Sequence, residues 1–162
     1  MKKFCNFFKS LFGNNDDVYL KKVKIVNKSK HRLPEYETCG AAGMDVKANL
    51  DEPMKIEPHS SVIVPTGLYI SLPEGYECQI RGRSGLAFKY DIYAHLGTID
   101  EDYRGEIKVK LYNLSNNSFL IHPGERICQM VVSPYERIEW EEVRELDDTK
   151  RGEGGFGSTG VN

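Results

Sequence analysis

The chain has 162 residues, of which 40% are hydrophobic and 28% charged, as in an ordinary soluble domain large enough to bury a core. The net charge of −2 argues against a partner such as nucleic acid that is bound through bulk positive charge. No apolar run in the sequence reaches the roughly 18 residues that a membrane-spanning helix needs.

The first 17 residues differ from the rest of the chain. Five apolar side chains recur there at helical spacing, with lysines between them: Phe4, Phe7, Phe8, Leu11 and Phe12. This pattern is typical of an amphipathic helix that contacts a membrane surface or another subunit, and a partly disordered extension fits it equally well. We therefore separate 1–17 as an N-terminal extension, without a firm membrane prediction.

From residue 18 onward the apolar pattern has a period of two, which predicts half-buried strands. In 106–114, Ile107, Val109 and Leu111 alternate with polar or half-polar neighbours. Further strand-like runs are 61–72, 76–83, 119–132 and 136–143, and a short helix is predicted near 84–90. Many short strands with almost no helix predict an all-β sandwich, jelly roll or barrel.

The cysteines and histidines are widely scattered and form no C-x-x-C pair. Structural zinc sites usually have paired ligands at close spacing, so we expect none here. Buried or half-buried reduced thiols indicate a reducing compartment, and we expect the cytoplasm, with the nucleus or an organelle left open.

The tail RGEGGFGSTG (151–160) contains five glycines. It matches G-x-G-x-x-G and resembles a Walker A loop, but the helix that both motifs require does not follow, and the Walker lysine is absent. Its glycine N–H groups, hydroxyls and Arg151 suit an anion, and Phe156 suits stacking on a nucleobase. A mobile linker remains an equal alternative.

Two inner stretches also carry chemistry. RGRSGLA (81–87) places Arg83 and Ser84 where a strand ends and a helix begins, which fits either a phosphate cradle or a plain serine N-cap. It lacks the last glycine of a nucleophile elbow, so a serine hydrolase is not expected. HLGTIDEDYRGEIKV (95–109) predicts a hairpin with an acidic turn at 100–102, which supplies either a general base or only turn residues.

Together, AAGMDVKA (41–48), GRSGLA (82–87), GTIDEDYRGEI (97–107), PGERICQM (123–130) and RGEGGFGSTG (151–160) resemble, in this order, the five motifs of the trimeric dUTP pyrophosphatase (dUTPase) family. The resemblance implies a distorted jelly-roll β-barrel at 18–147. It also implies a flexible glycine-rich arm at 148–162 that closes over a neighbouring subunit's site in a homotrimer. The implied reaction is the hydrolysis of dUTP to dUMP and pyrophosphate, with Mg²⁺ required for full activity.

The same resemblance assigns roles to residues. Asp100 is implied as the general base, and Asp45 is implied near the metal's water shell or in a purely structural role. Glu101 and Asp102 are expected only at the hairpin tip. The residues implied to bind the substrate are Arg83, Ser84, Gly85, Gly97, Thr98, Ile99, Tyr103, Gln129, Arg151, Phe156, Gly157, Ser158 and Thr159.

Two alternatives share this fold. A dCTP deaminase, including its bifunctional form, needs a catalytic glutamate in the pocket and lacks the I-D-x-x-Y pattern that is present here. A non-catalytic, dUTPase-like regulatory protein would be suggested by loss of Asp100 or of the tail, and the sequence retains both.

Overall fold

The structure is a computed structural model that describes residues 21–155. The predicted extension at 1–17 and the arm residues Phe156, Gly157, Ser158 and Thr159 lie outside these residues, and the roles given to them stay predictions. Within the described part of the chain, no helix is long and apolar enough to cross a membrane.

Residues 21–155 contain eleven short strands and one helix, which confirms the predicted all-β class. The elements are β1 (Lys24–Asn27), β2 (Met44–Lys47), β3 (Met54–Ile56), β4 (Ser60–Pro65), β5 (Leu68–Ser71), β6 (Tyr76–Arg81), α1 (Ser84–Tyr90), β7 (Ile92–Ala94), β8 (Gly97–Ile99), β9 (Lys108–Asn113), β10 (Phe119–Ile121) and β11 (Arg126–Pro134).

All strand pairs in this part of the chain are antiparallel, and they form four small sheets. The largest has the order β2-β11-β6-β8, the next has the order β4-β9-β7, and β1-β5 and β3-β10 form two-stranded sheets. The nine-residue β11 is central to the largest sheet, because it pairs with β2 on one side and β6 on the other. This sheet carries three of the five sequence motifs.

The core confirms the period-two prediction. On β9, Val109 and Leu111 are buried while Lys108 and Lys110 point to solvent. Side chains at most 2% exposed at the centre of the core include Val46, Ile56, Val64, Ile92, Leu111, Ile121 and Ile127. Burying these side chains is the main favourable contribution to folding.

Two of the predicted strand-like runs are each divided into two strands at a glycine. The run 61–72 divides into β4 and β5 at Gly67, which has a φ of 69°. A Cβ at that position would lie 2.7 Å from the backbone nitrogen of Ser29, so both the conformation and the space require glycine. Gly124 (φ 77°) similarly separates β10 from β11.

The strand predicted at 136–143 is wrong for the single chain described, since no strand is formed there. Its apolar side chains face solvent, with Ile138 69% and Trp140 86% exposed. A strand needs a hydrogen-bonded neighbour, and no strand of the described chain pairs with this segment.

Buried thiols are confirmed at two of the described cysteines. Cys78 on β6 and Cys128 on β11 are buried, and Cys39 is exposed. Burial raises the pKa of the Cys78 thiol to about 11 and that of Cys128 to about 12. Both side chains are therefore neutral and unreactive at physiological pH.

Candidate functional site

Asp45 is the centre of a charged cluster built on the largest sheet. The register of β2 and β11 places Asp45 opposite Gln129. Its Oδ1 accepts hydrogen bonds from Arg83 Nε and Gln129 Nε2, each at 3.2 Å, and its Oδ2 accepts one from Arg126 Nη1 at 3.1 Å. The Asp45 side chain is only 11% exposed. We call Asp45, Arg83, Arg126 and Gln129 the Asp45 cluster.

Arg83 is fixed by both its backbone and its side chain. It is the N-cap of α1, and its carbonyl accepts hydrogen bonds from the N–H groups of Leu86 and Ala87, both at 3.1 Å. Its guanidinium contacts Asp45 and also donates to the carbonyl of Arg126 at 2.9 Å. The plain serine N-cap considered for Ser84 is wrong, because Ser84 is already the first residue of the helix. Ser84 and Gly85 are both exposed.

Arg126 contacts two carboxylates of its own chain, Asp45 at 3.1 Å and Glu37 at 3.4 Å. The sequence gives no local signal for these contacts, because the partners lie more than eighty positions away along the chain.

Asp100 lies at the other end of the same sheet. It follows β8, which pairs with β6 through Ile80 and Gly97, Gln79 and Thr98, and Cys78 and Ile99. Ile99, the last residue of β8, is buried, and Asp100 is exposed at the start of a turn. The Tyr103 N–H closes this turn by donating to the Asp100 carbonyl at 3.1 Å.

The predicted hairpin is wrong in its pairing, although its turn is present. The strand after the turn, β9, pairs with β4 and β7 and not with β8. Between the turn and β9, Ile107 is buried and its N–H donates to the Leu68 carbonyl at 2.8 Å. The turn is therefore held in place by the pairing of β8 with β6 and by side-chain contacts.

Tyr103 packs over the turn that follows Asp100. Its hydroxyl donates to the carbonyl of Glu106 at 3.1 Å, and its ring is 45% exposed. A Cβ at Gly105 would overlap the Tyr103 ring, so the glycine leaves room for the aromatic side chain. Arg104 Nη1 donates to the carbonyls of Glu101 (2.6 Å) and Tyr103 (2.8 Å).

Sequence reasoning missed Arg104 and Glu101 as supports of this turn. Glu101 does not simply occupy a hairpin tip: its carboxylate accepts a hydrogen bond from the Gly75 N–H. The pKa of Glu101 is lowered, first by this hydrogen bond, then by the Tyr135 hydroxyl and the charge of Arg137. A contact between an acidic residue and a glycine-containing turn elsewhere in the chain leaves no pattern in the local sequence.

One chain brings some of the predicted residues together and leaves others apart. Asp45, Arg83 and Gln129 are in contact, whereas Asp100 has no hydrogen bond to any of them within residues 21–155. Arg151 is exposed and donates to the nearby Gly154 carbonyl at 2.8 Å. The cavity that borders Asp45 has a volume of about 140 Å³, smaller than the roughly 300 Å³ at which ligand pockets begin.

The described residues do not form a metal site on their own. No group of three or more His, Cys, Asp or Glu side chains between residues 21 and 155 is placed to hold a metal ion. Both oxygens of Asp45 accept hydrogen bonds from nitrogen donors, so direct coordination by Asp45 would displace them. The donor set does not fit a resident, protein-held cation.

Replacing Asp45 by alanine is expected to lower the free energy of unfolding by about 1–3 kcal/mol, because two guanidiniums and an amide lose their shared acceptor. Urea unfolding at fixed protein concentration measures this loss. The matched control is Asp51→Ala, which removes an ion pair with Lys30 whose side chains are 82% and 73% exposed and should leave stability unchanged. Equal effects of the two substitutions would contradict a central role for Asp45.

Comparison with known proteins agrees with the motif assignment. The family model described as dUTPase matches residues 29–160. A deoxyuridine 5'-triphosphate nucleotidohydrolase of Finegoldia magna is 53% identical over 141 residues, covering 86% of this chain and 99% of that protein. One of Cytophaga hutchinsonii is 56% identical over 140 residues, covering 85% and 91%.

Solved structures show the same fold. The dUTPase of Staphylococcus bacteriophage 80alpha with dUPNHPP superposes with a TM-score of 0.79 at 29% identity, covering 88% of this chain and all of that chain. The dUTPase of phage phi11, at 22% identity and a TM-score of 0.72, shares the fold. These matches confirm the predicted dUTPase-like jelly-roll barrel. The family model spans most of the sequence, and the matches to relatives more than half identical include nearly the whole length of those relatives. The chain therefore belongs to the dUTPase family.

Proposed function

We propose that this chain hydrolyses dUTP to dUMP and pyrophosphate, which limits uracil incorporation into DNA and supplies dUMP for dTMP synthesis. The observation that carries the proposal is the 53% identity to a deoxyuridine 5'-triphosphate nucleotidohydrolase over 99% of that protein. The exposed carboxylate of Asp100, on a closed turn, supports the proposal, because the reaction needs a general base. The cytoplasm, where nucleotides are synthesised, is the compartment that fits this role.

Asp100 is proposed as the general base. Its carboxylate accepts a proton from a water molecule while the water oxygen forms a bond to the α-phosphorus. The bond between the α-phosphorus and the bridging oxygen breaks, and pyrophosphate leaves with the electron pair. The exposure of Asp100 supports this role, because a base that activates water must be reachable by both water and substrate.

The uracil is proposed to bind along Gly97, Thr98 and Ile99. These residues form β8, which is an edge strand of the four-stranded sheet in the described part of the chain. An edge strand presents unpaired backbone N–H and C=O groups, and these can pair with the uracil edge as another base would. Discrimination against cytosine follows, because its donor and acceptor pattern would leave those groups unpaired.

Tyr103 is proposed to pack against the deoxyribose and leave no room for a ribose 2′-hydroxyl. Two observations support a fixed ring position: its hydroxyl is bonded to the Glu106 carbonyl, and its ring fills the space above Gly105. A ring held at its hydroxyl end excludes an extra hydroxyl more effectively than a mobile one.

The phosphates are proposed to bind Arg83, Ser84, Gly85 and Gln129. Arg83 and Gln129 share the acceptor Asp45, so their donor groups are already oriented before substrate arrives. Guanidinium donors suit phosphate oxygens through charge-assisted hydrogen bonds. Asp45 is thereby proposed to orient these two side chains, and any contribution to a metal is indirect, through water.

Mg²⁺ is proposed to arrive with the triphosphate and not from a protein-held site. The three hydrogen bonds that Asp45 already accepts from nitrogen donors support this, as does the lack of a ligand group among residues 21–155. Mg²⁺ dehydrates reluctantly and commonly binds substrate phosphates while keeping several waters. When bound, it neutralises negative charge on the phosphate oxygens.

A homotrimer with shared sites is proposed as the active form. The separation of Asp100 from the Asp45 cluster, at opposite edges of the four-stranded sheet, supports a site completed by other subunits. The segment before the arm also has four apolar side chains more than half exposed, which favours burial in an assembly: Ile138, Trp140, Val143 and Leu146. The arm 148–162 would then bring Arg151, Phe156, Gly157, Ser158 and Thr159 to a neighbouring site.

Pyrophosphate release from dUTP, dCTP, dTTP and UTP, each with Mg²⁺, tests the proposed activity. We expect dUTP to be preferred by at least about 10⁴ in kcat/KM over dCTP, because unpaired polar groups in a binding site produce rejection of this size. Release of ammonia from dCTP would instead identify a deaminase. No turnover of any of the four would favour a non-catalytic binding protein.

A further inference from the structure

The carboxylate of Glu101, the residue that follows the proposed base, contacts two residues outside its own turn. Its Oε2 accepts a hydrogen bond from the Gly75 N–H at 2.5 Å, and its Oε1 lies 3.5 Å from Arg137 Nη2. The nearby Tyr135 hydroxyl also lowers the pKa of this carboxylate. The Glu101 side chain is 21% exposed, although it belongs to a surface turn. We call Glu101, Gly75, Tyr135 and Arg137 the Glu101 tether.

The tether connects three separate parts of the chain. Gly75 belongs to the turn between β5 and β6, and the N–H of Tyr135 donates to the Gly75 carbonyl at 3.0 Å. Arg137 Nη2 donates to the Tyr135 hydroxyl at 3.3 Å, and its guanidinium lies 5.9 Å from the centre of the Tyr135 ring. The end of β11, the β5–β6 turn and the turn after Asp100 are therefore held together.

The turn itself has few other supports. Its closing hydrogen bond joins Tyr103 N–H to the Asp100 carbonyl, and Arg104 bridges two carbonyls within the same turn. These contacts fix its internal shape but do not connect it to the rest of the protein. On the side away from β8, the chain is next held at Glu106, whose carboxylate accepts the Gly67 N–H at 2.9 Å, and at the buried Ile107. Between β8 and these contacts, Glu101 supplies the side-chain anchor of the turn itself.

We propose that Glu101 is a positioning residue for the hydrolysis, fixing the placement of Asp100 through the Glu101 tether. The inference rests on the proposed role of Asp100 as the base. The bond from the Gly75 N–H to the charged carboxylate is charge-assisted, and such bonds are shorter and stronger than neutral ones. The 3.5 Å contact with the exposed Arg137 is the weaker of the two. Asp102, the next residue, is exposed and makes no such contact in the described structure, so the anchor depends on position 101.

The lowered pKa of Glu101 agrees with this role. Stabilisation of the charged form by the Gly75 N–H, Tyr135 and Arg137 moves the pKa below its usual 4.5. The tether is accordingly intact at neutral pH and is lost only as the pH falls through this lowered value. Across the range in which the enzyme would work, the carboxylate remains charged.

The test compares Glu101→Ala, Glu101→Gln and the control Asp102→Ala in the full-length protein. Glu101→Ala should lower kcat about tenfold, since small misplacements of catalytic groups cost rates of this order, and leave KM for dUTP within about twofold. The kcat of Glu101→Gln should lie between those of Glu101→Ala and the parent, because the amide oxygen still accepts the Gly75 N–H. Asp102→Ala should match the parent protein.

Two further measurements distinguish a positioning role of Glu101 from a general contribution to the stability of the fold. The thermal midpoint of Glu101→Ala should stay within about 2 °C of the parent, and the Gly75 amide proton resonance should move upfield when its charged acceptor is lost. The inference is overturned if kcat stays within twofold of the parent, or if KM, kcat and the thermal midpoint all deteriorate together.

The proposed role of Asp100 can be wrong independently of the proposed role of Glu101. If Asp100→Asn keeps full turnover, the base is misassigned whatever Glu101 does. If Asp100→Asn is inactive and Glu101→Ala is fully active, only the positioning role is wrong. The Gly75 resonance reports on the tether even in a protein that turns over no nucleotide.

Discussion

Asp100→Asn is expected to reduce turnover of dUTP by at least about 10² to 10⁴, the usual contribution of a general base. The amide has nearly the same shape as the carboxylate but does not take a proton from water. The turn should persist, because it is closed by the Asp100 backbone carbonyl and anchored by Glu101, and neither contact uses the Asp100 side chain. KM should therefore change little.

The measurement is steady-state pyrophosphate release with saturating dUTP and Mg²⁺. Asp102→Asn is the matched control, since it makes the same chemical change two residues away at an exposed position. It should keep normal turnover. Near-normal turnover of Asp100→Asn would remove Asp100 from the proposed mechanism.

A chain that ends at Lys150 is expected to trimerise and yet hydrolyse dUTP poorly, with kcat/KM lower by about 10² or more. The truncation removes Arg151, Ser158 and Thr159, which are proposed to donate to the phosphates, and loss of even one such donor costs about 10² to 10³. It also removes Phe156 from the uracil. It leaves residues 136–148 in place, including the exposed apolar side chains that favour assembly.

Light scattering after size-exclusion chromatography measures the oligomeric state, and product release measures activity. The control is Glu153→Gln in the full-length chain, because Glu153 is in the arm but has no proposed role in phosphate binding. Unchanged kcat/KM of the truncated chain would reduce the arm to a linker. Loss of the trimer would show that the arm is needed for assembly.

The parts of the fold that were predicted correctly have a local physical cause. Val109 and Leu111 alternate with lysines because one face of β9 is buried. Gly75 and Gly124 both have a φ of 77°, and each follows a proline by one or two positions, a pattern that predicts turns. The short helix at 84–90 was also expected.

The parts that were missed depend on distant contacts. Asp45 and Gln129 are 84 positions apart, and only the register of β2 against β11 brings them together. Glu101 contacts a turn 26 positions earlier, and β8 pairs with β6 in place of β9. Local sequence patterns show that strands exist, but pairing depends on which faces can be buried together.

The strand predicted at 136–143 was wrong for a related reason. Its alternating pattern is real, with Ile138 and Trp140 separated by a glutamate, but residues 21–155 provide no strand that pairs with it. The same pattern that predicts a strand is consistent with a partner supplied by another subunit, which the proposed trimer would provide.

The most direct test of the central claim is a single turnover of dUTP by the full-length protein in ¹⁸O-labelled water with Mg²⁺, followed by mass spectrometry of both products. Water attack on the α-phosphorus predicts one labelled oxygen in dUMP and none in pyrophosphate. Label in pyrophosphate, or products other than dUMP and pyrophosphate, would contradict the proposed reaction.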